Sequence, residues 1–119
     1  MIKLIVLVKR KQGMSSEEFH RYWNETHGSV VLGVPEFKRH LRRYVQSHTM
    51  EGANLDFPSG PSQFDGAAEL YFDDVESMNR AFNEPRYLEV VRPDEQKFLD
   101  LDACQLMVTQ EIPKYTPGQ

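Results

Sequence analysis

Apolar positions recur along this chain in two periods, and the switches between them divide it into six elements. Ile2 to Lys9 is rich in β-branched residues and nearly continuous in its apolar character. That is the pattern of a strand buried on both faces, hence central in a sheet. After the turn Lys11-Gln12-Gly13-Met14 the period becomes helical: Phe19, Tyr22, Trp23 and Thr26 stand at i, i+3, i+4 and i+7 and predict one buried face. Ser15 and Glu18 form a capping box at its start, and Met14 and Phe19 are placed as a hydrophobic staple. Gly28 is expected to end this helix in the left-handed conformation, with His27 as the last side chain before the stop. Ser29 can cap a further short turn, and Gly33 and Pro35 break the irregular apolar connector that follows.

From His40 to Thr49 the period is two, with His40, Arg42, Tyr44, Gln46 and His48 on one side of a strand. Met50 to Asp65 has no period and holds Gly52, Pro58, Gly60 and Pro61, a loop of a length that tends to be functional. Gly66 to Phe72 is a strand with Ala68, Leu70 and Phe72 facing one way and Ala67, Glu69 and Tyr71 the other. Asp73 or Asp74 caps the next helix, whose buried face is expected at Val75, Met78 and Phe82 with Ala81 beside them. Pro85 ends that helix and opens a segment marked by Tyr87, Leu88 and Val91, which Pro93 interrupts before a turn with Phe98 and Leu99 facing inward. Ala103 to Ile112 alternates as the last strand, Pro113 stops its pairing, and 114–119 is a polar tail.

The order β-α-β-β-α-β predicts an α+β fold of the ferredoxin-like kind, a four-stranded antiparallel sheet with helices on one face, as a single domain over 1–119. Its other face is left open. A second copy of the chain is the simplest cover, so the expected assembly is a homodimer with two sheets packed face to face as a dimeric α/β barrel.

The 119 residues, 39% hydrophobic and 27% charged, describe a globular domain with one core. A formal net charge of −4 argues against nucleic acid as the partner. The basic clusters Lys9-Arg10-Lys11 and 38–43 read as solvated faces. The apolar run Leu4–Val8 precedes its basic residues, the wrong order for a signal peptide, and no stretch approaches a membrane span. A single cysteine, Cys104, allows no internal disulfide and fits a reducing compartment, so the expected location is the cytoplasm. Cys104 itself reads as a small buried hydrophobe.

Four stretches resemble the EthD family of dimeric α/β-barrel proteins: Phe19-His20-Arg21-Tyr22-Trp23 with His27; Arg43-Tyr44-Val45-Gln46-Ser47-His48; 65–72; and Pro85-Arg86-Tyr87-Leu88 running to 94–100. The resemblance spans nearly the whole chain in order. It implies a pocket between the sheet and its own helices, and chemistry by proton transfer with neither flavin nor metal. Members of the family serve ether degradation, isomerise muconolactone, or decarboxylate or dehydrate aromatic polyketides.

The candidate catalytic residues are His27 and His48, which stand at the ends of elements and match the family pattern. The plain alternatives are a histidine compensating a helix dipole and a polar strand end. Tyr22, Trp23, Tyr44 and Glu69 are candidate substrate-binding residues: Trp23 lines a slot, the two phenols need partners when buried, and Glu69 either orients a neighbour or faces the uncovered side of the sheet. His20 is expected to be exposed and His40 to lie at a loop edge. No metal-ligand spacing, no glycine-rich phosphate loop and no Gly-x-Ser-x-Gly elbow is present, so no cofactor is called for. The expected function is cofactor-free acid–base chemistry of lyase, isomerase or oxidoreductase type on a small aromatic or lactone-like compound. The alternatives are a non-catalytic protein that binds an apolar ligand for a degradation or polyketide pathway, and a purely structural dimer module.

Overall fold

The order of hydrogen-bonded strands fixes the architecture. In the computed structural model, which describes residues 1–53 and 55–118, β1 (Ile2–Val8), β2 (Leu41–His48), β3 (Gly66–Phe72) and β4 (Gln105–Thr109) form one sheet in the order β2-β3-β1-β4. All three pairings are antiparallel, with Leu4 opposite Leu70 and Val108, and Tyr44 opposite Leu70. This is the ferredoxin-like α+β fold. Asn54, in the expected loop, and Gln119, in the expected tail, lie outside the described residues.

Strand alternation sorts the side chains. Leu4, Val8, Ala68, Leu70 and Phe72 face the helices and form the core with Phe19, Trp23, Phe37, Tyr87, Val91 and Phe98. Odd-numbered positions of β1 and β3 face the other way, where Lys3, Glu69, Tyr71 and Glu111 meet. Among the described residues no helix is long and apolar enough to cross a membrane.

The first helix departs from expectation at its end. α1 (Ser16–Arg21) runs into a π-helical segment (Tyr22–His27) and then into α2 (Gly28–Leu32) without a break. Gly28 is right-handed, with φ −55°, and does not stop the helix. The wide π turn replaces the expected periodicity: Phe19, Trp23, His27 and Val31 are buried at intervals of four, and Thr26 is exposed. The start is as the sequence predicts, since the Glu18 N–H donates to Ser15 Oγ at 3.1 Å and the Ser15 hydroxyl donates to Glu18 Oε1 at 2.9 Å. Ser15→Ala should therefore cost ~1 kcal/mol of stability in denaturant unfolding, and an unchanged midpoint would count against the cap.

α3 (Pro35–Lys38) fills the connector to β2. α4 (Val75–Phe82) begins at Asp74, whose carboxylate accepts from the Ser77 N–H at 2.7 Å, and it buries Met78 and Ala81 but leaves Val75 exposed. A second π segment (Tyr87–Val91) leads directly into α5 (Arg92–Phe98). Pro93 sits in the first turn of α5 and does not interrupt the rod, because the widened turn ahead of it absorbs the missing N–H. A 3₁₀ turn (Leu101–Ala103) precedes β4, which is shorter than the alternation of 103–112 predicts.

Candidate active site

The two π segments build the site. In an α-helix, residues five apart point about 140° away from each other. A π turn bonds i to i+5 and brings them onto one face. Tyr22 and His27 are such a pair, and both reach Asp94: His27 Nδ1–H donates to Oδ2 at 2.7 Å, and the Tyr22 hydroxyl donates to Oδ1 at 2.5 Å. Tyr87 and Arg92 are the second pair, and both reach Glu95. The Tyr87 hydroxyl donates to Glu95 Oε2, Arg92 Nε lies 2.8 Å from Oε1, and the Arg92 guanidinium lies over the Tyr87 ring. Consecutive carboxylates on α5 thus each take a partner pair from a widened helical turn.

Between these helices and the sheet lies a cavity of about 530 Å³. Its walls are mostly apolar: Leu4, Val6, Val8, Ala68 and Leu70 from the sheet, Trp23, Val31, Phe37, Val91 and Phe98 from the helices. His27, Tyr44, Tyr87, Arg92 and Glu95 bring polar groups into it. The exposed Leu101, Leu106 and Val108 place its mouth beside β4. No described residue of 50–65 lines it.

His27 is 6% exposed and Asp94 5%, so the pair is withdrawn from bulk water. Nδ1 is held by the carboxylate, so in the neutral ring it is the nitrogen that carries the hydrogen, and Nε2 is the one with the lone pair. Burial first, then the bond to Asp94, pushes the Tyr22 pKa up to about 12, so this phenol stays a donor. Burial also raises the Glu95 pKa against the opposing pull of Tyr87 and Arg92.

Four expected site residues gather here: His27, Trp23 and Tyr44 line the cavity, and Tyr22 stands behind His27 on Asp94. Two do not. His48 pairs with His20, Nδ1 to Nδ1 at 2.7 Å, and packs against Trp23 with ring centroids 4.3 Å apart. It does not line the cavity, because four residues along β2 from Tyr44 is about 13 Å. His20 is accordingly half-buried rather than exposed. Glu69 lies on the opposite face of the sheet, 3.6 Å from Lys3 Nζ, since it is paired across β1 with Ile5 and not with a cavity residue. Cys104 lines the cavity with its thiol pointed at the Asp100 carbonyl at 3.2 Å, and burial raises its pKa, as suits a packing residue.

Asp94 and Glu95 are the site residues that the sequence reading passes over. A signal was present: Val91, Asp94 and Phe98 stand at i, i+3 and i+7, which puts a carboxylate on the apolar side of a helix.

The chain thus combines a ferredoxin-like sheet, an apolar pocket beneath its helices, and a histidine held on a buried carboxylate at that pocket. Residues 11–102 match the EthD domain, and the chain belongs to that family. It is 30% identical to the conidial pigment biosynthesis dehydratase EthD of Metarhizium robertsii, over 91% of this chain and 80% of that protein. It is 26% identical to a dehydratase of Ustilaginoidea virens, over 100% and 89%. Among solved structures, an ethyl tert-butyl ether D family protein of Bacillus halodurans shares 25% identity at a TM-score of 0.68, over 94% of this chain and 99% of that one. A dimeric ferredoxin-like protein of Bacteroides fragilis shares 14% identity at a TM-score of 0.65, over 92% and 95%, and shows the fold.

Proposed function

We propose that the protein is a cofactor-independent lyase of dehydratase type, acting on a small aromatic or lactone-like compound that carries a hydroxyl group β to a carbonyl. The observation that carries this reading is the buried His27–Asp94 pair, whose imidazole lines an apolar cavity with Nδ1 already taken by the carboxylate. The names of the relatives, dehydratases, support it. His27 Nε2 takes the proton from the carbon next to the carbonyl, and Asp94 compensates the charge of the imidazolium. The C–O bond to the β-hydroxyl then breaks, the proton on Nε2 goes to the departing oxygen, and water leaves with His27 back in its starting state. Tyr44 and Trp23 position the substrate, and Tyr22 secures Asp94. His48 and Glu69 have no part in this scheme, because neither reaches the cavity.

A homodimer completes the reading. The open sheet face carries Ile5, Leu7, Val45 and Met107, and the C-terminal tail exposes Ile112 and Tyr115. The Bacteroides fragilis relative is described as dimeric. A second sheet would cover these residues and leave the cavity, on the helical side, untouched.

The test is a panel of aromatic β-hydroxy ketones, followed by ultraviolet absorbance for the conjugated product and by NMR for the vinyl protons it gains. The wild-type protein should accelerate the growth of both signals with at least one member, and His27→Ala should accelerate neither. Equal rates in the two proteins, or no acceleration by the wild type anywhere in the panel, would overturn the proposal.

A further inference from the structure

Gln46 makes three hydrogen bonds that fix the orientation of its amide. Nε2 lies 2.9 Å from the Trp23 carbonyl, which only accepts, so this atom is the nitrogen. Its second hydrogen goes to the Tyr44 hydroxyl oxygen at 2.8 Å. Oε1 must then accept, and it does so from His48 Nε2 at 2.9 Å. His48 carries its hydrogen on Nε2, and burial and the facing His20 lower its pKa, so the ring is neutral and Nδ1 accepts from His20 Nδ1–H. Every donor in this row points the same way: His20 to His48, His48 to Gln46, Gln46 to Tyr44.

At the end of the row Tyr44 already receives a hydrogen on its oxygen. Among the described residues its own O–H has no acceptor, and the side chain lines the cavity. We infer that Gln46 is a positioning residue that makes Tyr44 an obligate hydrogen-bond donor into the cavity, and that the ligand presents a carbonyl or enolate oxygen to it rather than a donor group. The inference rests on the reading of the cavity as a ligand pocket and deepens it. The same enolate oxygen would build up negative charge when His27 removes the α-proton, so a fixed donor there stabilises the transition state more than the ground state.

Two matched probes separate the hydrogen bond from the packing: 2-acetylnaphthalene, and its hydrocarbon isostere 2-isopropenylnaphthalene. Binding is read by fluorescence titration, and the bound ketone by its infrared carbonyl stretch. On the wild-type protein the stretch should fall below its position in hexane. Tyr44→Phe should return it to that position and weaken the ketone roughly tenfold, with the hydrocarbon unchanged. In Gln46→Glu, read at a pH where the new side chain is ionised, the oxygen that replaces Nε2 faces the Trp23 carbonyl and the Tyr44 hydroxyl, of which only the hydroxyl can donate, so it accepts from Tyr44, turns the O–H away from the cavity, and should give the same two effects. The unchanged hydrocarbon affinity certifies that both variants keep the cavity. An unshifted wild-type stretch, a loss in Tyr44→Phe shared equally by both probes, or a Gln46→Glu protein with the wild-type stretch would overturn the inference. None of these readouts needs turnover, so each leaves the His27–Asp94 chemistry standing. A wild-type protein that admits neither probe overturns the inference together with the ligand-pocket reading.

Discussion

Replacing Asp94 with Asn should lower kcat by roughly 10²-fold or more and leave KM nearly unchanged. The split follows from position. Asp94 does not line the cavity; it stands behind His27 and touches Nδ1, the Tyr22 hydroxyl and, at 3.8 Å, Lys97. A substrate therefore meets the same wall in the variant. What changes is the response to charge. The carboxylate compensates the imidazolium that forms when Nε2 takes a proton, and an amide of the same shape cannot. The amide also presents its NH₂ to one of two donors, so either Tyr22 must turn its hydroxyl or His27 must move its proton to Nε2, where the base is lost. His27→Ala removes the base outright, and the double variant should be no slower than His27→Ala alone, because the two groups act as a unit. Rates on a β-hydroxy ketone turned over by the wild type, with far-ultraviolet circular dichroism as the check on folding, decide this. An Asp94→Asn protein with wild-type kcat, or losses that multiply in the double variant, would sink the assignment.

Much of this site was legible in the sequence, and the part that was not has two physical origins, widened helical turns and position along a strand. The capping box at Ser15 and Glu18, the alternation of β3 and the cap at Asp74 are local, so short-range chemistry reveals them. His27 drew attention as the imidazole at the end of an aromatic face, and it does enter the cavity. That Tyr22 and His27 converge on one carboxylate could not be read, because residues five apart diverge on an α-helix and nothing in Tyr22–His27 announces a π turn. The same widening explains why Gly28 and Pro93 failed as stop signals and why Thr26 is exposed. His48 and Glu69 lie away from the cavity for a different reason. Strand parity sets the face but not the position along it: His48 shares the face of Tyr44 yet lies beyond the pocket, and Glu69 belongs to the side without helices.

A single methyl group at Gly66 should be the most destabilising small change in the fold, whereas the same methyl at Gly28 should be stabilising. Gly66 opens β3 opposite His48 and Val8 and is buried. A Cβ there would stand 2.4 Å from the Ser47 carbonyl oxygen and 2.7 Å from Trp23 Cζ3. The first neighbour is backbone in a paired strand, and the second belongs to a side chain only 1% exposed, so neither can yield cheaply. Overpacking of this kind costs about 1–3 kcal/mol, occasionally more. For a domain of this size that is a fall in Tm of the order of 5–10 °C. At Gly28 a Cβ would meet Gln46 Nε2 at 3.6 Å and the Trp23 carbonyl at 3.8 Å, ordinary contacts, on a right-handed backbone within the helical rod. Alanine there should add about 0.5–1 kcal/mol by restricting the unfolded chain. Thermal melts of the two variants should thus move in opposite directions from the wild type. Equal shifts, or a Gly66→Ala protein that melts with the wild type, would mean that Trp23 is not pinned between β3 and the cavity. The Gly66→Ala protein should also bind 2-isopropenylnaphthalene more weakly, because the indole that the methyl displaces is itself a wall of the pocket. Close approach of a helix-borne indole to a bare strand backbone is what lets this wall stand where it does, and Gly66 is the residue that permits it.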